Sequence, residues 1–221
     1  MNKSTVCFDD VLLVPQFSDI NSREEVSLGT SLGHRDFRFP VVSSPMDTVT
    51  EVNMALEMLS SGGLGVLHRY NTIDKQCEMV RDVAQELEEI NSSNIANISA
   101  AIGTSNDFEN RATALYDAGA RILCIDVAHG HHTLVERAIK TLRDVFGEVV
   151  TILAGNVATA EAFKSLSDWG ADAVRVGIGG GSICSTRIQT GHGVPTLQSV
   201  LDCRDASDAS IIADGGIKTT G

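Results

Sequence analysis

Nowhere does this 221-residue chain hold the run of about 18 apolar residues that a membrane-spanning helix needs. No secretory leader is visible either, because Met1-Asn2-Lys3-Ser4 runs straight into the body of the sequence. A cytosolic location and no membrane partner are the expectation. Basic residues are scarce: 17 Lys and Arg stand against 29 Asp and Glu, a formal net charge of −12. Nucleic acid is a poor partner for such a surface, since backbone binding needs clustered Lys and Arg. A phosphorylated small molecule is not excluded, because a glycine nest or a helix N-terminus holds phosphate without net positive charge. Much of the acid lies in runs such as Glu86-Leu87-Glu88-Glu89, read as solvated helix face. The five cysteines are odd in number, widely spaced and without a C-x-x-C pair, which argues against a disulfide framework and a zinc site. His129, His131 and His132 lack the His-Glu-x-x-His pattern and read as loop residues.

What is present is a repeat. Strand candidates fall at Pro40–Ser44, Leu64–His68, Ile98–Ile102, Ile122–Val127, Val149–Leu153, Ala173–Val176 and Ser210–Ala213. Most are continuously apolar, as expected of a parallel sheet buried on both faces. Between them the apolar spacing becomes helical: Val52, Ala55, Leu56 and Leu59 share a face, as do Phe108, Ala112, Leu115 and Tyr116. Val135, Ala138, Ile139, Leu142 and Phe146 form a third such face, and a further helix is expected over Asp74–Ile90. Gly119, Gly147 and Gly170 sit where helices should stop. Strand, loop, helix, glycine, strand is an α/β pattern with right-handed crossovers. A (β/α)₈ barrel and a doubly wound open sheet both fit it, although no Gly-x-Gly-x-x-Gly follows the first strand.

The most informative segment is Gly177-Ile178-Gly179-Gly180-Gly181-Ser182-Ile183-Cys184-Ser185-Thr186-Arg187. Four glycines in five positions after a strand let the backbone bend sharply and approach a ligand closely, and successive N–H groups in such a bend can cradle an anion. Those groups also stabilise a thiolate, which makes Cys184 the candidate nucleophile. Cys7, Cys77, Cys124 and Cys203 have no such setting and read as structural.

This segment, with Thr190-Gly191-His192-Gly193, resembles the G-I-G-P-G-S-x-C-x-T-[RK]-x-x-T-G-x-G signature of the IMP dehydrogenase and GMP reductase family. Phe8-Asp9-Asp10-Val11-Leu12-Leu13-Val14-Pro15, Ser43-Ser44-Pro45-Met46-Asp47-Thr48-Val49-Thr50-Glu51, Ala154-Gly155-Asn156-Val157 and Ala213-Asp214-Gly215-Gly216-Ile217 resemble its other segments, in family order. The resemblance implies a (β/α)₈ TIM barrel with its active site at the C-terminal ends of the strands. It implies an oxidoreductase in which Cys184 attacks carbon 2 of a purine nucleoside monophosphate to give a thioimidate, with Thr186 activating water or ammonia. Ser182 and the Gly179–Gly181 backbone, with Gly215 and Gly216, are expected to hold the phosphate. Asp214 should accept from the ribose hydroxyls, while Ser44 and Met46 line the base and ribose pocket. Asp126, Val127, Ala128 and Asn156 are assigned to the nicotinamide half of NADPH or NAD, with His129 nearby. The carbonyls of Gly179, Gly181 and Cys184 match the family's potassium ligands, and a homotetramer is the implied assembly.

Two departures stand out. Gly180 replaces the family's usual proline, removing a φ restraint. Arg69 follows His68 where reductases often carry lysine, so a proton-transfer role there is in doubt. Seven barrel strands are counted, so the expectation is a single catalytic domain over 1–221, truncated before the last strand. No regulatory nucleotide-sensing pair is inserted, since residues 71–97 are too short to hold one. The direction leans towards GMP reductase, on that missing insert, on Asp126-Val127-Ala128-His129-Gly130 and on Gly103-Thr104-Ser105. Ser43–Glu51 leans towards IMP dehydrogenase instead. A non-catalytic nucleotide-binding barrel is the rival of another class.

Overall fold

The computed structural model describes residues 5–105 and 107–219; residues 1–4, 106, 220 and 221 of the expected 1–221 domain lie outside the described residues. After two 3-10 turns, Phe8–Asp10 and Arg23–Glu25, come two short antiparallel strands, β1 (Thr30–Leu32) and β2 (Arg35–Phe37), which no sequence pattern anticipates. Their two-residue loop needs a positive φ, which Gly33 supplies at +58°.

Seven parallel strands follow, in unbroken sequential order: β3 (Val42–Ser43), β4 (Leu64–Leu67), β5 (Ser99–Ile102), β6 (Ile122–Asp126), β7 (Thr151–Val157), β8 (Ala173–Val176) and β9 (Ser210–Ala213). The intervening helices are α1 (Val52–Ser60), α2 (Ile73–Glu89), α3 (Phe108–Ala118), α4 (Thr133–Phe146) and α5 (Ala160–Trp169). Gly119, Gly147 and Gly170 do end α3, α4 and α5, with φ of 122°, 55° and 113°. Two further helices, α6 (Thr186–Thr190) and α7 (Thr196–Cys203), lie between β8 and β9. Strand β7 begins two residues later than expected, because Val149 still closes the turn from α4 onto Phe146, and it runs on through Asn156.

Because side chains alternate along a strand, the sheet buries two separate clusters. Outward residues such as Leu123, Ile125, Ile152 and Val174 pack with Phe108, Leu142, Phe163 and Leu166 of the helices. Inward residues Val66, Ala101, Ile122, Cys124, Leu153 and Ala173 pack with Leu32 and Phe37, so the β1–β2 hairpin plugs the lower mouth. Arg35 pins that plug by donating to Thr151 Oγ1 at 2.8 Å and to the carbonyls of Arg121 and Val149. The sheet curls far enough that both of its edges, Val42 and Leu64 on one side and Ile212 and Ala213 on the other, line one cavity of about 520 Å³. The fold is therefore α/β, a curled sheet of seven parallel strands with the architecture of a TIM barrel short of its eighth.

Candidate active site

The site grows out of the strand ends. The inward parity that places Ile122 and Cys124 in the interior carries Asp126, the last residue of β6, to its upper rim. On β8 the same parity makes Arg175 an inward residue, and just beyond β9 it brings in Asp214. Arg175 is 8% exposed and Nη1 donates to Asp126 Oδ1 at 2.5 Å while Nη2 donates to Asp214 Oδ2 at 2.9 Å. Burial alone would lower the pKa of the guanidinium, but Cys124, Asp214 and Asp126 around it outweigh that and raise it. Asn156 Nδ2 donates both to Asp214 Oδ2 and to the Gly177 carbonyl, which joins the end of β7 to the same cluster.

After β8 the chain turns through Gly177 and Gly179. A Cβ on Gly177 would fall 2.1 Å from the Asp214 carbonyl oxygen, so only glycine allows this loop to lie against the Asp214-Gly215-Gly216 turn. Gly215 in turn would meet the Gly181 nitrogen at 3.0 Å, and the two glycine loops interlock. Gly180 has its own reason: a Cβ there would sit 2.2 Å from Thr196 Oγ1. The departure from proline is thus matched by Thr196 filling the space.

Cys184 follows this bend, its N–H donating to the Gly181 carbonyl at 3.1 Å, and it is half-buried. Its Sγ is 3.3 Å from Thr186 Oγ1. The Thr186 hydroxyl, then the Thr186 and Gly179 backbone N–H groups and the Arg187 charge, hold the Cys184 pKa below its ordinary value against the opposing effect of burial. The other four cysteines go the other way. Burial pushes Cys124 up to about 11, and burial with Asp202 does the same for Cys203. Cys77 is raised by burial, and Cys7 is raised too. A lowered pKa with partial exposure is the condition for a reactive thiol, and Cys184 alone of the five meets it.

Cys184 and Thr186 open onto a cavity of about 350 Å³ together with Asp126, Val127, Ala128, Asn156, Arg175 and Gly179. Its opposite wall is Arg69 and Tyr70. Arg69 is held by two donations to the Asp126 carbonyl, at 3.2 and 3.1 Å. The preceding His68 is buried; its Nδ1 accepts the Tyr70 N–H at 3.2 Å, which leaves Nε2 carrying the proton towards Glu51 at 3.3 Å. Tyr70 itself stays 60% exposed beside the cavity.

Other residues singled out from sequence do not line this cavity. Ser44 and Met46 lie just after β3, where the Ser44 carbonyl accepts from Thr50 Oγ1 at 2.6 Å and from the Met46 N–H. Ser182 is exposed on the glycine loop. Gly216 opens instead onto a second cavity of about 220 Å³ with Gly179, Gly180, Arg187 and Lys218, and Gly215 lies at the sheet seam. His132 caps α4 through Nδ1, which accepts the Leu134 N–H, and His131 packs against Trp169, so both are loop residues. Among the described residues no cluster of His, Cys, Asp and Glu could hold a metal ion, and no helix is long and apolar enough to cross a membrane.

Sequence reasoning misses Arg175, which reads as one more residue of a strand. The signal was present: an arginine inside Ala-Val-Arg-Val must be paired if the strand is buried on both faces.

A profile described as the IMP dehydrogenase / GMP reductase domain matches residues 5–221. A GMP reductase of Leishmania major is 31% identical, over 97% of this chain and 70% of its own length. An inosine-5'-monophosphate dehydrogenase of Nitrosopumilus maritimus is 30% identical, over 99% of this chain and 71% of its own length. One from Cryptosporidium parvum is 36% identical over 97% and 62%. With a profile match over nearly all of its length, this chain belongs to the IMP dehydrogenase / GMP reductase family.

Proposed function

We propose that the protein is a purine nucleotide oxidoreductase that works through a covalent bond from Cys184 to carbon 2 of the base, in the direction of a GMP reductase. The observation that carries this reading is the Cys184 thiol, lowered in pKa by Thr186 and facing the cavity bounded by Asp126 and Asn156. An ionised thiol adds to an electron-poor carbon more readily than a neutral one. In GMP, attack of the Cys184 thiolate at carbon 2, with the proton that the thiol gave up passing to the amino group, expels ammonia and gives a thioimidate. Addition of hydride to carbon 2 and release of the thiolate then gives IMP. A reduced nicotinamide supplies that hydride.

The chain's own residues do the rest. Cys184 bonds the base, and Thr186 donates to the departing thiolate and to ammonia. The backbone of Gly179–Gly181 with Ser182, Gly215 and Gly216 takes the phosphate, a role supported by Arg187 and Lys218 beside the same glycines. Asp214 holds the ribose, and Ser44 and Met46 border the base. For the nicotinamide half the residues fit: one Asp126 carboxylate oxygen has no partner among the described residues, Asn156, Val127 and Ala128 lie beside it, and the Tyr70 ring is open to stacking. A potassium ion on the carbonyls of Gly179, Gly181 and Cys184 belongs to this reading, although the Gly181 carbonyl also accepts the Cys184 N–H. So do a single barrel domain, a homotetramer and a cytosolic site of action. The alignment with the Leishmania major protein runs over 344 residues against 221 here, which supports the absence of an inserted module.

Relatives named for both reactions match at about 30% identity, so the direction rests on this chain's own features: the short 71–97 segment, the Asp126–Gly130 loop and Gly103-Thr104-Ser105 favour the reductase, and Ser43–Glu51 the dehydrogenase. Oxidation of NADPH with GMP, followed by the absorbance of the reduced nicotinamide, is the test. It should proceed and vanish in Cys184→Ala. Turnover of IMP with NAD instead would establish the dehydrogenase direction. Nucleotide binding with neither activity would establish the binding barrel.

A further inference from the structure

Arg175 is the only buried Lys, Arg, Asp or Glu among the described residues, and the chemistry of Cys184 gives it no task. Removing a charge from water costs several kcal/mol unless partners compensate it closely. Here both compensating groups are carboxylates at the mouth of the barrel, one ending β6 and the other just beyond β9. Asp126 Oδ1 accepts from Nη1, and Asp214 Oδ2 accepts from Nη2 and from Asn156 Nδ2. The remaining oxygens, Asp126 Oδ2 and Asp214 Oδ1, have no hydrogen-bond partner among the described residues.

Space for this clamp comes from the strand between. Asp126, Gly155 and Arg175 are register partners across β6, β7 and β8. All three therefore point inward in one row. Any side chain at 155 would start 2.6 Å from Arg175 Cβ, so glycine there clears the path from β8 to β6.

We propose that Arg175 is the positioning residue of the site: one guanidinium fixes the Asp126 and Asp214 carboxylates together and turns a single free oxygen of each towards the ligands. The inference rests on the proposed reading that Asp214 meets the nucleotide ribose and Asp126 the nicotinamide half. A planar fork with several donors can hold two carboxylates at once, whereas the lysine ammonium is a point charge on a flexible stem. Nucleotide and cofactor affinity then depend on the same side chain although neither ligand need touch it.

The test is Arg175→Lys, read by thermal melting, by nucleotide binding in calorimetry with GMP and IMP, by KM for the cofactor, and by the rate of Cys184 alkylation. The expected result is a folded protein whose Cys184 reacts at the wild-type rate. Its nucleotide affinity falls about tenfold, equivalent to about 1.4 kcal/mol, and the cofactor KM rises in parallel, with kcat less affected. A folded Arg175→Lys protein with wild-type affinity and KM overturns the inference and leaves the proposed reaction standing. A loss of alkylation rate in step with melting temperature also overturns it, because that is a purely structural role. Wild-type protein that binds no purine nucleotide overturns the proposed function and this inference with it. Should Arg175→Lys not fold, Arg175→Met with Asp126→Leu removes the guanidinium together with one carboxylate. Nucleotide affinity in that variant is read the same way.

Discussion

Replacing Gly155 by alanine adds one methyl group to the row that joins Asp126 to Arg175. The new Cβ would lie 2.6 Å from Arg175 Cβ, 2.9 Å from the Arg175 carbonyl oxygen and 3.2 Å from its Cα. Two of these three atoms are backbone, so the clash cannot be relieved by rotating a side chain. Overpacking of this kind costs about 1–3 kcal/mol. Because the neighbouring strand β8 is itself paired on both sides, the upper half of that range applies. Against it stands the entropy that alanine removes from the unfolded chain, about 0.4–1 kcal/mol. The net expectation is a loss of about 1–2.6 kcal/mol, the difference between overpacking and that entropy. For a domain of this size each kcal/mol moves the melting temperature by about 2–4 °C, so Gly155→Ala should melt roughly 2–10 °C lower. It should also weaken nucleotide binding, since β8 must move away and draw the guanidinium from at least one carboxylate. Calorimetric melting with nucleotide titration of the same sample reads both. A Gly155→Ala protein as stable as wild type, with unchanged affinity, would refute the idea that glycine clears this row.

Thr186→Val should slow alkylation of Cys184 near neutral pH by several-fold, because a hydrogen bond to a charged acceptor is lost, worth about 1.5–3 kcal/mol when unscreened. The sign follows from the donor: without it the thiolate is less favoured, and the reactivity midpoint moves to higher pH. An unmoved midpoint, measured by mass spectrometry of the Cys184 peptide, would show that the hydroxyl does not activate the thiol. Arg143→Met should cost about 3 kcal/mol, as expected when one partner of a largely buried pair is removed. Arg143 is bonded to Asp172 at 2.5 Å and to the carbonyls of Gly170, Gly147 and Val150, and Asp172 also accepts the Ile152 N–H. Urea unfolding with an undiminished midpoint would contradict this.

The charged row at the barrel mouth is also a statement about how this architecture divides its labour. Below it, the interior is filled by Leu32, Phe37, Val66, Ile122, Cys124 and Leu153 and does nothing but exclude water. At the rim the same inward positions become Asp126 and Arg175, with Asp214 just beyond. There the two carboxylates are only partly exposed, so they meet both the interior and a ligand. Electrostatic interactions gain strength as water is excluded, so the pairing of these groups governs how the site meets a polar ligand. Arg69, tied to the Asp126 main chain, adds a second guanidinium to the same wall. Its fixed hydrogen bonds give it a structural part in the loop, whichever proton transfers the reaction needs.

The alternation of apolar strands with amphipathic helices was legible in the sequence because each element's burial pattern follows from local periodicity alone. Ala173–Val176 and Ser210–Ala213 coincide with the observed strands, and the glycines after α3, α4 and α5 end those helices as their positions imply. Cys184 was legible too, since the glycine bend before it is a local feature. The β1–β2 hairpin was not, because three-residue strands carry too short a pattern, and their reason for existing is a barrel mouth that the sequence does not display. Helix α6 was equally silent: none of its five residues is buried, so no apolar period marks it. Arg175 is the clearest division between the two levels. Local order along the chain puts a charge inside an apolar strand; it takes the curling of the sheet to bring two carboxylates, 49 and 39 residues away, to meet it.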